Sequence, residues 1–285
     1  MYIIVGATGR IGSLVVKAMQ HQNLPVRAVV RDPSKLTLTS VEVGKADLMQ
    51  TDEVVEAFKG GTTALLITPE NPASQDIMGD TRRVVENYRQ AIIATGIRRM
   101  VALSCIGAHL DDNTGNILMS RMLETALADL DVEKVYIRPS YYFSNWLAYL
   151  DTVQQYGILP TFFPEDLKIE MHAPADLAQF ITEIMIAKEV QQVYELFGPR
   201  AYSSRDIAAA FSNLLQKSIA VQSIPPRQWV ETLCSVGFTE DAAKHLADMT
   251  QAVVDQKAIP EFPERVIKLK TEFEDYIRPY VANAD

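Results

Sequence analysis

The sequence predicts an α/β fold, namely a doubly wound parallel sheet with a smaller, mostly helical lobe towards the carboxyl end. Over the first two-thirds of the 285 residues, short apolar runs alternate with segments of helical periodicity, which is the pattern of βαβ units. The runs are apolar almost throughout, as in strands that are buried on both faces. Helical segments dominate after about residue 150, so we expect one domain over residues 1–154 and a lobe over 155–285, some of whose segments return to the sheet.

The individual elements follow from apolar spacing and from the residues that begin or end them. Strands are predicted at 2–5, 25–31, 63–68, 100–104 and 133–137, with another just before Asp47. The helices between them are predicted at 10–22, 51–58, 75–95 and 116–129, with Thr51 as a cap and Gly60 as a stop. In the lobe, helices are predicted at 174–187, 204–217, 226–236, 239–257 and 264–280, and strands at 192–196 and 219–223.

A glycine-rich segment joins the first strand to the first helix and reads Gly6-Ala7-Thr8-Gly9-Arg10-Ile11-Gly12. Its first glycine permits a tight turn, the second lets the backbone approach a pyrophosphate, and the third allows close packing of the helix on the strand. Free N–H groups at the helix start would then bind the phosphates. The segment predicts a Rossmann-type dinucleotide site, and the alternative is a tight turn with a structural role only.

The end of the second strand indicates which dinucleotide binds. Arg31 suits a ribose 2′-phosphate because its planar guanidinium binds phosphate through two hydrogen bonds, and Lys35 adds positive charge. Asp32 would favour NAD if its side chain faced the ribose, but neighbouring strand residues point to opposite faces. We therefore expect NADP(H) in preference to NAD(H). The alternative is that these charges form an exposed surface turn.

Residues that close other strands are expected to line the same cofactor, because open α/β sheets bind ligands at the carboxyl ends of their strands. Asp47 and Leu48 would frame the adenine, Thr68 and Pro69 would border the cofactor, and Ser104 would lie near the nicotinamide. Asp and Ser are also common in turns, so a purely structural role for Asp47 and Ser104 stays open.

Several of these segments together resemble the NmrA-like family of atypical short-chain dehydrogenases. The resemblance rests on the glycine motif and on residues 26–33, 46–48, 138–145 and 173–178, although the segment at 138–145 is offset by one residue from the family pattern. It implies an NADP-binding Rossmann domain, a small C-terminal lobe and a substrate cleft between them. Members of the family include NADPH-dependent quinone, dye and azo reductases, and also non-catalytic sensors of the NADP redox state that bind protein partners.

A pair that short-chain dehydrogenases usually carry is missing. In their Tyr-x-x-x-Lys motif the tyrosine is a general acid whose pKa the lysine lowers, yet none of the 11 tyrosines here has Lys four residues later. Arg121 stands where the Lys is expected. It could hold the nicotinamide ribose but cannot donate a proton, and the alternative is an exposed helix cation. An acceptor that needs little acid assistance is therefore expected, and the proton donor stays unknown.

The acceptor is expected to meet aromatic side chains near the end of the first domain. Tyr141, Tyr142 and Phe143 could stack against a flat molecule, although aromatic residues at this spacing are more often core residues. His109 follows the strand that ends at Ser104 and is the one acid–base candidate among the histidines, its alternative being an exposed loop residue. The main hypothesis is an NADPH-dependent reductase of quinones, azo compounds or dyes. Its rival is an NADP(H)-sensing regulator without turnover.

Composition excludes other classes of function. A net charge of −9 argues against a nucleic-acid partner, which requires clustered cations. Two cysteines make no disulfide framework, and four histidines show no metal-ligand spacing, so no metal is expected. The sequence shows no targeting segment and no apolar run long enough for a membrane span, so a cytoplasmic protein is expected. Whether it forms a homodimer or binds a protein partner stays open.

Overall fold

A computed structural model describes residues 1–38, 41–111 and 113–282. The strands are β1 Tyr2–Val5, β2 Val26–Val30, β3 Glu42–Lys45, β4 Thr63–Ile67, β5 Arg99–Leu103, β6 Glu133–Pro139, β7 Tyr141–Tyr142, β8 Ile158–Thr161, β9 Ile169–His172, β10 Val193–Phe197, β11 Ala201–Tyr202, β12 Ala220–Ser223 and β13 Ile267–Lys268. The helices are α1 Arg10–His21, α2 Thr51–Phe58, α3 Ile77–Thr95, α4 Ile117–Ala126, α5 Leu150–Tyr156, α6 Pro174–Ile186, α7 Ser204–Leu215, α8 Trp229–Ser235, α9 Glu240–Val254 and α10 Phe273–Ala282.

Eight strands form one parallel sheet in the order β3-β2-β1-β4-β5-β6-β10-β13. Side chains alternate across it, so that Ile3 and Val5 pack against α2, α3 and α4 on one face while Ile4 packs against α1 and α6 on the other. The chain order turns in opposite directions on either side of the β1–β4 pair, as in a Rossmann fold. The predicted fold class, a doubly wound parallel sheet, is confirmed.

A second apolar cluster forms the core of the C-terminal lobe. It joins α5, α7 and α10 to two small sheets, one with the order β11-β9-β7 and the other pairing β12 with β8. Its largest members are aromatic and almost fully buried, namely Phe143, Trp146, Tyr202, Phe211 and Phe273. The later chain also returns to the main sheet through β10 and β13. None of the described helices combines the length and apolar character that crossing a bilayer requires.

Two element predictions are wrong. Residues 264–280 do not form one helix, because Ile267 pairs with β10 and the chain stays extended until α10 begins at Phe273. The carboxylate of Asp176 fixes this extended stretch by accepting hydrogen bonds from the backbone N–H groups of Lys270 and Thr271. Thr51 does not cap α2 either: Gln50 takes the cap position, and the Thr51 hydroxyl donates to Asn87 Oδ1 over 2.7 Å.

A buried arginine connects four elements beneath the carboxyl end of the sheet. Arg138 on β6 is 4% exposed and donates from Nε and Nη2 to the two carboxylate oxygens of Glu124 on α4, over 2.8 and 2.7 Å. Its Nη1 donates to Glu261 over 2.6 Å and lies 3.5 Å from Glu195 on β10. Burial alone would lower the pKa of Arg138, but hydrogen bonds and charge from Glu124 and Glu261 raise it above its ordinary value. The guanidinium therefore stays charged inside the protein.

We expect Arg138→Met to lower the free energy of unfolding by about 3–5 kcal/mol, because it leaves Glu124 and Glu195 buried without their cation. The measurement is urea unfolding at pH 7. The control is Arg205→Met, since Arg205 forms ion pairs on the surface with Glu165 and Asp166, and its loss should cost no more than about 1 kcal/mol. Equal costs for the two variants would contradict this account of the network.

Candidate functional site

The glycine segment forms a tight turn that only glycine fits at two positions. Gly6 has a φ of +66°, a left-handed conformation that side chains disfavour, and its carbonyl oxygen accepts a hydrogen bond from Gly9 N over 2.8 Å. A Cβ atom on Gly12 would lie 2.3 Å from that same carbonyl oxygen. The absence of a Cβ at Gly12 therefore lets α1 pack directly on the turn. This is the close helix–strand approach that the sequence predicts.

Helix α1 begins at this turn with its donors available. Gly9 occupies the cap position, no side chain accepts a hydrogen bond from the first turn, and no acidic residue stands in that turn. Ala7 and Ile11 are buried beneath the turn, whereas Thr8, Gly9 and Arg10 are exposed. Because β1 lies between β2 and β4, the turn sits where the sheet order reverses. The backbone N–H groups and the helix dipole together favour an anion at this point.

The residues that follow β2 separate into exposed cations and an engaged carboxylate. Arg31 and Lys35 are exposed, and neither side chain makes a hydrogen bond or an ion pair among the described residues. Asp32 caps the turn at 33–35, where its Oδ1 accepts from Ser34 N over 3.0 Å and from Ser34 Oγ over 2.7 Å. These two hydrogen bonds hold the pKa of Asp32 below its ordinary value. The carboxylate of Asp32 is thus engaged with Ser34, and the side chains of Arg31 and Lys35 remain free to bind a ligand.

The loop after β3 is held by its own hydrogen bonds. Asp47 Oδ1 accepts from Met49 N over 3.0 Å, and Asp47 N donates to Glu53 Oε2 over 2.7 Å. The carbonyl oxygen of Leu48 accepts from Asn87 Nδ2 over 2.7 Å. Asp47 and Leu48 are half-buried at the carboxyl edge of the sheet, and the adenine contacts predicted for them stay predictions. Thr68, half-buried, and Pro69, exposed, follow β4 at the same edge.

Two predicted residues near the nicotinamide end have protein partners. Ser104 is 5% exposed, and its hydroxyl donates to Glu124 Oε1 over 2.5 Å, which places it in the Arg138 network. Arg121 donates from Nη1 to the carbonyl oxygen of His109 over 2.8 Å and lies 3.8 Å from Asp111. Arg121 therefore holds the loop that follows β5, and His109 is part of that loop. Their predicted roles towards cofactor or substrate stay predictions.

The aromatic residues divide between the cleft and the core. Tyr141 and Tyr142 are half-buried, and the Tyr142 ring packs on the ring of His172 with 4.7 Å between centroids. Burial raises the pKa of both tyrosines, so they stay neutral phenols. Phe143 is fully buried against Tyr202 and Phe273 in the lobe core. Phe143 thus has no surface for an acceptor, and we leave it out of the proposed site.

His172 lies beneath Tyr142 without a charge. Burial lowers the pKa of His172 to about 4, and among the described atoms its buried Nε2 has no hydrogen-bond partner. Its Nδ1 lies 3.3 Å from Ser140 Oγ. The ring therefore acts as a neutral platform that fixes Tyr142.

The lobe reaches the glycine turn through Arg10. Its Nη1 donates to Ser144 Oγ over 2.5 Å, and its positive charge also acts on Tyr142 and Tyr276. Arg10 is therefore placed between the helix that would hold a pyrophosphate and the aromatic wall. This contact closes one side of the cleft.

Sequence reasoning missed Glu70 and Asn116, whose side chains contact each other beside the start of α4. Glu70 lies on the loop that follows β4, and its surface is exposed to solvent. Asn116 Nδ2 lies 3.4 Å from Glu70 Oε2. A pocket of about 90 Å³ adjoins both, lined also by Pro72, Ile77 and Phe238. One feature of the sequence could have indicated Glu70, namely that a carboxylate follows Thr68-Pro69 directly at the end of a predicted strand.

A larger cavity of about 410 Å³ lies elsewhere, between α7 and α10 in the lobe. Its charged walls are paired with one another, as in the contact of Arg200 with Glu272 over 3.1 Å. It shares no lining residue with the cleft. Among the described residues, no group of three or more His, Cys, Asp or Glu is placed to hold a metal ion.

The residues present fit a dinucleotide. The glycine turn leaves the space and the backbone donors that a pyrophosphate needs, and the exposed side chains of Arg31 and Lys35 follow the neighbouring strand β2. Beyond them, the charges of Arg10 and Glu70 both act on Tyr142, so the glycine turn, the loop after β4 and the aromatic segment come together.

We expect Gly9→Val to abolish nucleotide binding while the protein stays folded, because φ at Gly9 is −81° and the position is exposed. The valine side chain would occupy the space that the pyrophosphate needs. Gly12→Ala should instead lower the free energy of unfolding by about 1–3 kcal/mol, as overpacking does. Isothermal titration with NADPH and urea unfolding measure the two effects. Retained binding in Gly9→Val would show that the turn does not contact the nucleotide.

Comparisons with known proteins agree with this geometry. The sequence profile of the NAD(P)H-binding family matches residues 6–147. Quinone oxidoreductase 2 of Escherichia coli (strain K12) is 27% identical over 257 residues, which cover 87% of this chain and 86% of that protein. NAD(P)H azoreductase of Xenophilus azovorans is 24% identical over 256 residues, with coverage of 87% and 86%.

A solved structure shows the same fold. The crystal structure of an NADPH-dependent quinone oxidoreductase from Escherichia coli, complexed with NADPH, superposes with a TM-score of 0.79 at 23% identity and covers 99% of both chains. The match to the family profile begins at the glycine turn and ends within the aromatic segment that follows β6. Residues 6–147 therefore match the NAD(P)H-binding family, which is consistent with the resemblance to atypical short-chain dehydrogenases.

Proposed function

We propose that this protein is an NADPH-dependent oxidoreductase that transfers hydride to a small, flat, electron-poor acceptor of the quinone, azo or dye type. The observation that carries the proposal is that Arg10, at the glycine turn, and Glu70, after β4, both act electrostatically on Tyr142, so the turn, the β4 loop and the aromatic segment come together. The reductase names of the relatives support the same class of reaction.

Each part of the chain would have a separate task in this reaction. The glycine turn and the start of α1 would bind the pyrophosphate, and Arg31 with Lys35 would bind the 2′-phosphate. Bound NADPH would supply the hydride. Tyr141 and Tyr142 would position the acceptor by stacking, since neutral aromatic rings pack well against flat apolar molecules. Correct positioning contributes a large part of the rate when the acceptor is electron-poor.

The preference for NADPH over NADH rests on the chain after β2. In NAD sites an acidic side chain accepts from the ribose 2′-OH, but here Asp32 is engaged with Ser34. Arg31 is exposed and unpaired among the described residues. The Arg31 guanidinium has no protein partner, and the neighbouring Asp32 carboxylate already accepts two hydrogen bonds. This combination favours a ribose 2′-phosphate over a 2′-hydroxyl group as the bound ligand.

We expect Arg31→Ala to weaken NADPH binding by about 10–100-fold, the effect of losing hydrogen bonds to a charged group. NADH binding should change less than about threefold, because the 2′-OH carries no charge to recognise. Isothermal titration with both cofactors measures this ratio. The control is Lys17→Ala, which removes an equal charge from the exposed face of α1. Equal weakening of NADPH and NADH by Arg31→Ala would contradict the 2′-phosphate assignment.

Turnover distinguishes the reductase from the rival hypothesis of a non-catalytic sensor. We expect steady oxidation of NADPH, followed at 340 nm, with at least one member of a panel of benzoquinones, naphthoquinones, azo compounds and triarylmethane dyes. Tight binding of NADP(H) without turnover of any acceptor, together with a protein that co-purifies, would favour the sensor.

A further inference from the structure

Glu70 is a carboxylate close to the tyrosines that we propose to contact the acceptor. It follows Pro69 immediately after β4, and its charge acts on Cys105, Tyr141 and Tyr142, the groups that border the cleft. The side chain nevertheless keeps access to solvent. A carboxyl group here can meet an acceptor and also exchange protons with water.

Asn116 gives the second observation. The residue is 6% exposed, its Nδ2 lies 3.4 Å from Glu70 Oε2, and its buried Oδ1 has no hydrogen-bond partner among the described atoms. An unpartnered buried amide oxygen is costly, and it is satisfied when a donor reaches it. The amide N–H that faces Glu70 donates to its carboxylate, so the free Oδ1 is left to accept a hydrogen bond from a donor on a bound molecule. The unpartnered atom thus points to a ligand beside Glu70.

The pocket beside this pair is small and mostly apolar. Its volume is about 90 Å³, and its walls come from the loop after β4, from α3, from the start of α4 and from Phe238, Ala242 and Leu246 near and on α9. It would accept one edge of a ring system while the polar atom of that ring faces Glu70. A ring with a carbonyl oxygen or an azo nitrogen meets both requirements.

We propose that Glu70 is the proton donor to the acceptor, an inference that rests on the proposed function. The acceptor gains a hydride, with its two electrons, from the reduced nicotinamide. As negative charge develops on the acceptor's oxygen or nitrogen, that atom forms a bond to the carboxyl proton of Glu70 while the O–H bond of Glu70 breaks. The resulting carboxylate is protonated again by water through the open side of the cleft.

The electrostatics of the cleft agree with this role. Burial raises the pKa of Glu70, against the lowering effect of its hydrogen bond to Asn116. The titratable groups that face it are Cys105, whose pKa burial raises to about 12, and Tyr141 and Tyr142, whose pKa values burial also raises. All three are neutral near pH 7.

Helix α9 adds two more titratable groups near the pair, Asp241 and His245. Asp241 Oδ2 accepts a hydrogen bond from Ile77 N over 2.8 Å, and the carbonyl oxygen of His245 accepts from Asn116 N over 3.2 Å.

Glu70 can donate a proton only below its own pKa, so a raised pKa extends proton donation to higher pH.

The first experiment measures steady-state rates of Glu70→Gln across pH, with Glu240→Gln as a control that removes an exposed carboxylate at the start of α9. We expect Glu70→Gln to lower kcat by about 100-fold at low pH, the usual effect of losing a general acid, with the Kd for NADPH within twofold of wild type. The wild-type rate should fall about tenfold per unit above the pKa of Glu70, and the Glu70→Gln rate should lack this fall. A variant with the wild-type rate and pH profile overturns the proposal.

The second experiment does not depend on turnover. The probe is the anion of 2-hydroxy-1,4-naphthoquinone, whose binding to the NADP⁺-saturated protein is followed by quenching of tryptophan fluorescence, over the pH range in which the probe stays anionic. Wild-type affinity should fall about tenfold per pH unit above the pKa of Glu70, because the bound anion requires a protonated carboxyl group. Affinity should be independent of pH in Glu70→Gln and should follow wild type in Glu240→Gln.

The two experiments separate the failure of each idea. If wild type binds the probe with this pH dependence but oxidises NADPH with no acceptor, the placement of the proton on Glu70 stands and the proposed reductase fails. If wild type turns over acceptors but Glu70→Gln matches it in rate, pH profile and probe binding, the reductase stands and the role of Glu70 is overturned. Wild type that does not bind the probe, or binds it without pH dependence, also overturns the role of Glu70.

Discussion

The buried charge of Arg138 is the constraint on which the cleft depends. A guanidinium inside a protein is tolerated only when carboxylates and hydrogen bonds replace its water, and here those partners come from three distant parts of the chain, Glu124, Glu195 and Glu261. Satisfying Arg138 therefore fixes α4 against β6 and holds the segment after α9 against β10. Ser104 joins the same network. The polar groups at the floor of the cleft are therefore engaged with one another. Any reaction with a substrate falls to the residues above them.

The two walls of the cleft are built from segments that are far apart in sequence. Arg10 connects the glycine turn to Ser144 at the entrance of the lobe. On the other side α9 lies across the loop that follows β4, where Thr239 N donates to the carbonyl oxygen of Pro72 over 2.9 Å. Because α9 also contacts the start of α4 through His245, the small pocket beside Glu70 exists only when the lobe has folded against the sheet. The cofactor site that we propose draws mainly on residues 1–154, whereas the proposed acceptor site draws on both parts of the chain.

The parts of the site that sequence could predict are those with local causes. A Cβ on Gly12 collides with the turn that contains it, and a capping aspartate such as Asp32 uses a serine two residues away, so short motifs carry this information. Glu70 and Asn116 meet across 46 residues, and β13 forms only by pairing with β10, so no local pattern announces either. Phe143 shows the opposite error, because the sequence predicts a substrate contact and the structure places the side chain in the core. Residue type alone does not distinguish an aromatic side chain that borders a cleft from one that fills a core. The described contacts of Ser104 and Arg121 likewise depend on partners that spacing does not reveal.

Charge is distributed unevenly along the cleft, and this constrains what it can bind. The end near Arg10, Arg31 and Lys35 is positive within a protein of net charge −9, and in the proposed function it would attract the phosphates of the cofactor. The other end holds neutral phenols and one carboxyl group, which would repel an anion whenever it is ionised. A substrate that is anionic before reduction would therefore be disfavoured once Glu70 is ionised, whereas a neutral one that becomes anionic only as it accepts hydride would be stabilised at that moment by the proton on Glu70. Neutral, electron-poor rings are the acceptors that satisfy both conditions, and stabilisation that appears only during the reaction is the kind that raises kcat.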